Sequence, residues 1–244
     1  MFMIHGWCGN AEVWAQQIHG FAERYRVVVF DFFADDDASG DEDCSGCSIG
    51  HLAQTVVAVA DALKAQAVVL VGHSMGGPIA IEAALELEGR CLLVLGIDTF
   101  TDATFYRRLA LDEREHRLAG FRADFKSTMI SMVRRITSDR VEGLSSRIGA
   151  SMSAKEPRTA LAMLEALFDW DIEEHWSHLR CPVEAINSAV LSSGAELLML
   201  PGLSVHLMEA VGHFPMLEDP ESFNALAYDI LEHNLGDVRT DHMS

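Results

Sequence analysis

Residues 68–77 read Val-Val-Leu-Val-Gly-His-Ser-Met-Gly-Gly, and this stretch decides the fold. Its apolar start, rich in β-branched residues, predicts a buried strand, and the apolar residues of 78–84 recur at helical spacing. A serine in a sharp turn between strand and helix is strained, so only small residues fit two positions before and after it. Gly72 and Gly76 stand at those positions. The pattern therefore predicts that Ser74 is an exposed nucleophile near the amino end of a helix, where N–H groups and the helix dipole favour negative charge.

Apolar strands and helical segments alternate on both sides of this turn, which is typical of a parallel sheet covered by helices on both faces. The alternation breaks between residues 99 and 179, where the periodicity is helical and no convincing strand occurs. The sequence therefore predicts an α/β fold with a mostly parallel sheet flanked by helices. The core is expected to be one discontinuous domain, residues 1–98 and 180–244, with 99–179 as a helical insertion. The predicted strands are 2–4, 27–30, 68–71, 92–97, 181–186 and either 196–200 or 204–208.

Length and composition predict a packed globule with one core. The chain has 244 residues, 49% of them hydrophobic, which suffices for a full α/β domain with an insertion. No segment approaches the ~18 uninterrupted apolar residues that a membrane span needs. The amino terminus has no basic region and no small-residue cleavage site, so it is interpreted as a strand rather than a signal peptide. A soluble, cytoplasmic protein is therefore expected.

The net charge argues against two classes of partner, and the cysteines argue against a disulfide framework and a metal site. A formal net charge of −19 disfavours nucleic acid and anionic membrane surfaces, because like charges repel. The densest acidic run lies in 34–46, which is predicted to be a solvated loop. Five scattered cysteines, an odd number, do not indicate a disulfide framework. Cys44 and Cys47 have the spacing of a metal-binding or redox pair, but no second pair accompanies them, so we expect neither role. The sequence implies no organic cofactor.

Three motifs follow one another along the chain: His-Gly-Trp at 5–7, the serine turn at 72–77, and Gly-His-Phe-Pro-Met-Leu-Glu at 212–218. With these motifs in this order, the chain resembles serine hydrolases of the α/β-hydrolase fold over nearly its whole length. The resemblance implies that the helical segment 99–179 is a cap that roofs the active site.

The same resemblance assigns roles to individual residues. It implies that Ser74 is the nucleophile, that His213 is the base, and that the backbone N–H groups of Trp7 and Met75 form an oxyanion hole. The chemistry requires all of these, since a serine hydroxyl is too weakly acidic to attack a carbonyl until an imidazole takes its proton. Fixed N–H donors then stabilise the negative charge that develops on the carbonyl oxygen.

The third member of a catalytic triad is less well defined. Members of this fold family commonly carry an aspartate a few residues after the strand that corresponds to 182–186, but residues 187–193 contain no carboxylate. The fold has a second acid position, at the end of the strand after the nucleophile helix, and Asp98 stands there. We therefore expect Asp98 to be the acid, with Asp102 as the alternative. A purely structural interpretation of Asp98 is a helix cap where the insertion begins.

Two departures from the family pattern concern the sheet. Family members usually open with a strand hairpin before the strand that corresponds to 2–4, whereas this chain begins at that strand. A truncated sheet with an exposed edge is therefore expected, and exposed edges favour aggregation. The acidic loop after Asp31 also differs from the usual glycine-rich loop, so its conformation cannot be transferred.

The resemblance implies a hydrolase that cleaves a carboxylic ester or a related acyl bond through an acyl-Ser74 intermediate, without a cofactor. A carbon–carbon bond hydrolase of the same fold is an alternative, whereas relatives with halide or epoxide chemistry carry aspartate in place of Ser74. A non-catalytic ligand-binding module is a third interpretation, because the usual acid and hairpin are missing. The sequence does not indicate an oligomeric state. An apolar substrate pocket, or simply the core of the insertion, would explain Phe105, Tyr106, Phe121, Phe125, Met129, Met132 and Phe168.

Overall fold

The computed structural model describes residues 1–32, 47–138 and 140–236, and a six-stranded sheet lies at its centre. In chain order the strands are β1 (Phe2–Ile4), β2 (Val28–Val29), β3 (Val68–His73), β4 (Cys91–Ile97), β5 (Val183–Ser188) and β6 (Leu203–Met208). Their order in the sheet is β2-β1-β3-β4-β5-β6, and every neighbouring pair is parallel. The predicted fold class is therefore confirmed.

Two long helices of the core begin at a residue whose side chain caps them. The Ser48 hydroxyl accepts a hydrogen bond from the N–H of His51, and the Asp219 carboxylate accepts one from the N–H of Ser222. Such caps satisfy N–H groups that have no partner within the helix. None of the described helices combines the length and the apolar character needed to cross a lipid bilayer. The core helices are α1 (Ala15–Ala22), α2 (Ile49–Ala62), α3 (Gly76–Leu87), α10 (Ala189–Ser192), α11 (Pro215–Glu218) and α12 (Pro220–Leu235).

The segment between β4 and β5 is helical, and its described residues contain no strand of the sheet. Its helices are α4 (Ala103–Tyr106), α5 (Leu111–Ala123), α6 (Phe125–Ile136), α7 (Leu144–Ser153), α8 (Pro157–Asp169) and α9 (Ile172–Trp176). Helix α6 buries Phe125, Met129 and Val133, which recur every four residues and so form one apolar face. This face packs against α7, which buries Ile148 and Met152 at the same spacing.

The two edges of the sheet are short or partly exposed. Strand β2 has two residues and pairs on one side with β1; within the described ranges no strand pairs with its other side. The described part of the chain likewise contains no strand hairpin of the kind that family members usually carry before the strand corresponding to β1. At the other edge, β6 is the second of the two alternatives predicted for the last strand, and 196–200 contributes only an isolated bridge between Leu197 and Asp102.

Two predicted features fall outside the described residues. One is the acidic loop at 34–46, which includes Cys44, and the other is the polar tail after Gly236. The four described cysteines are free thiols. They are Cys8, Cys47, Cys91 and Cys181.

Candidate active site

The serine turn has the geometry that its sequence predicts. Ser74 lies between β3 and α3 with φ of +51°, a left-handed conformation that is costly for any residue with a side chain. A Cβ atom on Gly72 would lie 2.3 Å from the backbone oxygen of Gly76, and one on Gly76 would lie 2.4 Å from the oxygen of Ile4. Larger residues at either glycine would therefore push the turn apart or away from β1.

His213 and Asp98 are in direct contact. Nδ1 of His213 lies 2.5 Å from Oδ2 of Asp98, and the two side chains are 19% and 10% exposed. The other carboxylate oxygen, Oδ1, accepts the backbone N–H of Ser188 at 2.9 Å. Because an ionised carboxylate only accepts hydrogen bonds, Nδ1 carries the proton and Nε2 is left to act as a base.

The alternative acid, Asp102, has a different partner. Its Oδ1 atom accepts the N–H of Thr104 at 2.8 Å and the Thr104 hydroxyl at 2.6 Å, so it caps α4. The sequence analysis favoured Asp98 and kept Asp102 as the alternative, and of these two carboxylates Asp98 contacts the imidazole of His213.

Asn187 occupies the region in which the resemblance would have placed an acid. It is buried, its Oδ1 accepts the N–H of Thr99 at 3.2 Å, and its Nδ2 donates to the Thr99 oxygen at 3.1 Å and to Oγ1 of Thr101 at 2.9 Å. An amide can make these bonds because it both donates and accepts. Asn187 therefore fixes the backbone that follows Asp98.

The turn that carries His213 is held by a buried carboxylate that the sequence analysis did not identify as functional. Oε2 of Glu218 accepts the N–H of Gly212 at 2.7 Å and that of Ser138 at 3.0 Å, and Oε1 accepts the N–H of Phe214 at 3.1 Å. Glu218 thus binds the backbone on both sides of His213 and ties it to the helical insertion. The available signal was an acid five residues after the histidine, at the end of an otherwise apolar turn.

We expect Glu218→Gln to lower the free energy of unfolding by about 2 kcal/mol, because one carboxylate oxygen becomes an NH₂ group that faces N–H donors. Urea unfolding, extrapolated linearly to water, measures this loss. The control is Glu86→Gln, since Glu86 is exposed on α3 and should change stability by at most a few tenths of a kcal/mol. Equal stability of the two variants would contradict the structural role of Glu218.

The predicted oxyanion-hole residues lie on two sides of Ser74. Trp7 follows β1, and Met75 follows Ser74 at the start of α3. Within the described part of the chain, neither backbone N–H donates a hydrogen bond to another protein group. The indole of Trp7 is fixed by the insertion, because its Nε1–H donates to the backbone oxygen of Ala160 at 2.7 Å and its ring meets Phe121 edge-on with centroids 5.1 Å apart.

Two further histidines support these loops. Nε2 of His73 donates to the backbone oxygen of His213 at 2.7 Å, and burial lowers the pKa of His73 well below its usual value, so the ring stays neutral. Nδ1 of His5 donates to the oxygen of Gly6 at 2.8 Å, and its Nε2 accepts the N–H of Phe32 at 3.2 Å. Both rings thus have backbone partners around the site.

A cavity of about 530 Å³ joins Ser74, Asp98 and His213 to the helical insertion. Of the seven apolar and aromatic residues singled out in the sequence, five line it: Phe105, Tyr106, Phe121, Met132 and Phe168. The other two, Phe125 and Met129, lie instead in the core of the insertion. Within residues 1–32, 47–138 and 140–236, no group of three or more His, Cys, Asp or Glu side chains is arranged to hold a metal ion.

Several known proteins are similar to this chain in sequence or in fold. The family model described as the alpha/beta hydrolase family matches residues 1–226. The chain is 26% identical to the "Putative carbamate hydrolase RutD" of Rhizobium rhizogenes, over 92% of this chain and 89% of that protein. A solved N-acyl homoserine lactone degrading enzyme is 26% identical, with a TM-score of 0.76 over 93% of this chain and 91% of its own. An esterase from Exiguobacterium antarcticum has a TM-score of 0.78 at 19% identity, over 95% and 91% of the two chains, and shows the fold alone.

Proposed function

Since the chain belongs to the alpha/beta hydrolase family, we propose that it is a serine hydrolase that cleaves a carboxylic ester or a related acyl bond through an acyl-Ser74 intermediate. The observation that carries the proposal is the contact between His213 and Asp98 in the cavity that Ser74 also lines. A strained serine, an imidazole with a free Nε2 atom and a carboxylate on its Nδ1–H are the parts that acyl transfer to serine requires.

The proposed reaction proceeds in two halves. Nε2 of His213 takes the proton of Ser74 as Oγ bonds to the acyl carbon, and the imidazolium then gives that proton to the leaving group. Asp98 holds the productive tautomer and stabilises the imidazolium. A water molecule, activated by His213 in the same way, then releases the acid from Ser74. The N–H groups of Trp7 and Met75 stabilise the oxyanion in both halves, at roughly 3 kcal/mol of barrier for each donor.

We assign residues 99–179 as a cap over this site and an apolar small molecule as the substrate. The support is that the cap supplies most of the aromatic and aliphatic residues around the cavity, while the catalytic groups come from the ends of the strands. Such a cavity buries an apolar acyl chain and leaves its carbonyl at Ser74.

Among acyl bonds, esters and lactones are the first candidates and carbamates the second. The second candidate rests on the curated relative whose name is a carbamate hydrolase. Both reactions pass through a carbonyl attacked by serine, so the catalytic residues alone do not separate them. The non-catalytic interpretation rested on a missing acid and a missing hairpin, and the contact between Asp98 and His213 weakens the first of these two grounds.

The test is a panel of p-nitrophenyl esters from acetate to hexanoate. We expect kcat/KM to rise about fourfold for each added methylene, since each buried methylene contributes about 0.8 kcal/mol and about 1.4 kcal/mol is a factor of ten. Met132→Phe narrows the cavity and should move the optimum to shorter chains, whereas Met199→Phe, at a position that is 90% exposed, should not.

Three results would contradict the proposal or its parts. A flat profile over chain length would remove the apolar acyl pocket. If the protein hydrolysed a dienone of the kind formed by opening of an aromatic ring, but no ester, lactone or carbamate, it would be assigned to carbon–carbon bond hydrolysis. Folded protein with no turnover of any of these substrates would favour the non-catalytic module.

A further inference from the structure

Tyr106 is a buried phenol beside the nucleophile, and the reaction described above does not use it. It is the last residue of α4, the first helix of the cap, and it is 5% exposed. Its hydroxyl lies beside the hydroxyl groups of Ser74 and Thr99, on the wall of the same cavity. Burial raises the pKa of Tyr106 far above neutral, so the group remains an uncharged O–H donor.

The backbone around Tyr106 is firmly held. Its N–H donates to the backbone oxygen of Asp102 at 3.1 Å, and the side chain of Asp102 caps the same helix. The segment before the helix is tied to residues 196–198 by two further backbone hydrogen bonds of 2.8 Å. The ring of Phe100 meets the phenol edge-on, with centroids 6.4 Å apart. The hydroxyl is therefore preorganised at the reaction centre.

The order of the strands fixes the side from which Tyr106 approaches. β1 and β4 are the two neighbours of β3 in the sheet, so the chain reaches the site at Trp7 from one neighbour of the nucleophile strand and at Tyr106 from the other. A carbonyl oxygen held by the N–H groups of Trp7 and Met75 points toward the β1 side. The leaving group must point toward His213, whose partner Asp98 also follows β4.

We propose that Tyr106 is a further catalytic residue, whose hydroxyl donates a hydrogen bond to the leaving-group oxygen as the acyl–oxygen bond breaks. The proposal rests on the acyl-Ser74 mechanism. Oγ of Ser74 bonds to the acyl carbon, the electron pair of the broken bond goes to the leaving oxygen, and the proton on Nε2 of His213 follows it. Tyr106 keeps its own proton throughout and stabilises the charge that develops before this transfer is complete.

The test is Tyr106→Phe with esters of one acid and alcohols of increasing basicity, from p-nitrophenol through phenol to an alkyl alcohol. A basic leaving group develops more charge that needs a donor, so the loss in kcat/KM should grow along the series, from less than about tenfold to about 10²-fold. The matched control is Tyr228→Phe, at a position outside the cavity, which should show no such trend.

A fluorophosphonate probe separates this proposal from the mechanism on which it rests. The fluoride of the probe leaves without a proton, so Tyr106→Phe should be labelled at Ser74 at close to the parental rate. Normal labelling with an equal loss for every alcohol, or with no loss, would overturn the leaving-group role and leave the acyl-Ser74 mechanism intact. Slow labelling together with a uniform loss would assign Tyr106 to positioning Ser74 instead. A parent protein that is not labelled at all would remove the mechanism itself.

Discussion

Ser74→Ala is expected to reduce kcat for ester hydrolysis by about 10⁶-fold, which is the loss measured when a serine protease loses its nucleophile. At about 1.36 kcal/mol for each factor of ten, this corresponds to roughly 8 kcal/mol of barrier. The loss is this large because His213 and Asp98 have no proton to move in the absence of the hydroxyl, so the triad fails as a unit. The variant should fold like the parent, since only one oxygen atom is removed from the turn.

The control for this variant is Ser146→Ala, at an exposed serine on α7, which should keep the parental rate. Steady-state hydrolysis of p-nitrophenyl butyrate measures both variants. A Ser74→Ala protein with more than a tenth of the parental kcat would show that another group carries the reaction.

Asp98→Asn is expected to reduce kcat by about 10⁴-fold, which is the loss that a serine protease shows when its triad aspartate is replaced by asparagine. The amide keeps the shape of the side chain but stabilises the wrong tautomer of His213 and no longer balances the imidazolium. The 10⁴-fold loss corresponds to an increase of roughly 5.4 kcal/mol in the activation barrier. Asp98 has φ of +46°, a conformation that asparagine also tolerates, so the melting temperature should change little.

Asp102→Asn is the matched comparison, four residues along the chain. Asparagine caps helices about as well as aspartate, so this variant should lose less than tenfold in kcat and less than about 1 kcal/mol of stability. Equal rates for Asp98→Asn and the parent would contradict the assignment of the acid. A severe loss in Asp102→Asn alone would move that role to Asp102.

The serine turn could be predicted because everything that determines it is local. The spacing of Gly72, Ser74 and Gly76 specifies a turn that admits no larger residue, and the apolar runs on either side specify a strand and a helix. The alternation of such segments then indicates a parallel sheet. These features depend on neighbours within a few residues, which the sequence displays directly.

The last strand could not be chosen from the sequence because its partner decides it. Residues 196–200 and 204–208 are both apolar enough for a strand, but only the second lies where it pairs with β5, with Val183 opposite Leu203. The choice between Asp98 and Asp102 is similar, since it depends on where His213 lies, more than a hundred residues further along.

Which apolar residues line the cavity also depends on tertiary packing, which the periodicity of the sequence does not reveal. Phe121 and Phe125 are both aromatic residues of the helical insertion, yet Phe121 lines the cavity whereas Phe125 is buried outside it. For the same reason, the sequence did not predict the contacts of the Glu218 carboxylate or the place of the Tyr106 hydroxyl beside that of Ser74. Their partners, Ser138 and Ser74, come from distant parts of the chain.

Labelling with a fluorophosphonate probe, followed by peptide mapping with mass spectrometry, tests the acyl-Ser74 mechanism most directly. Only a serine activated by a base and flanked by oxyanion donors reacts with this probe at neutral pH. The mechanism predicts one adduct per chain, on Ser74, and none in a folded His213→Ala variant. An adduct on another residue, or no adduct on the folded parent protein, would contradict it.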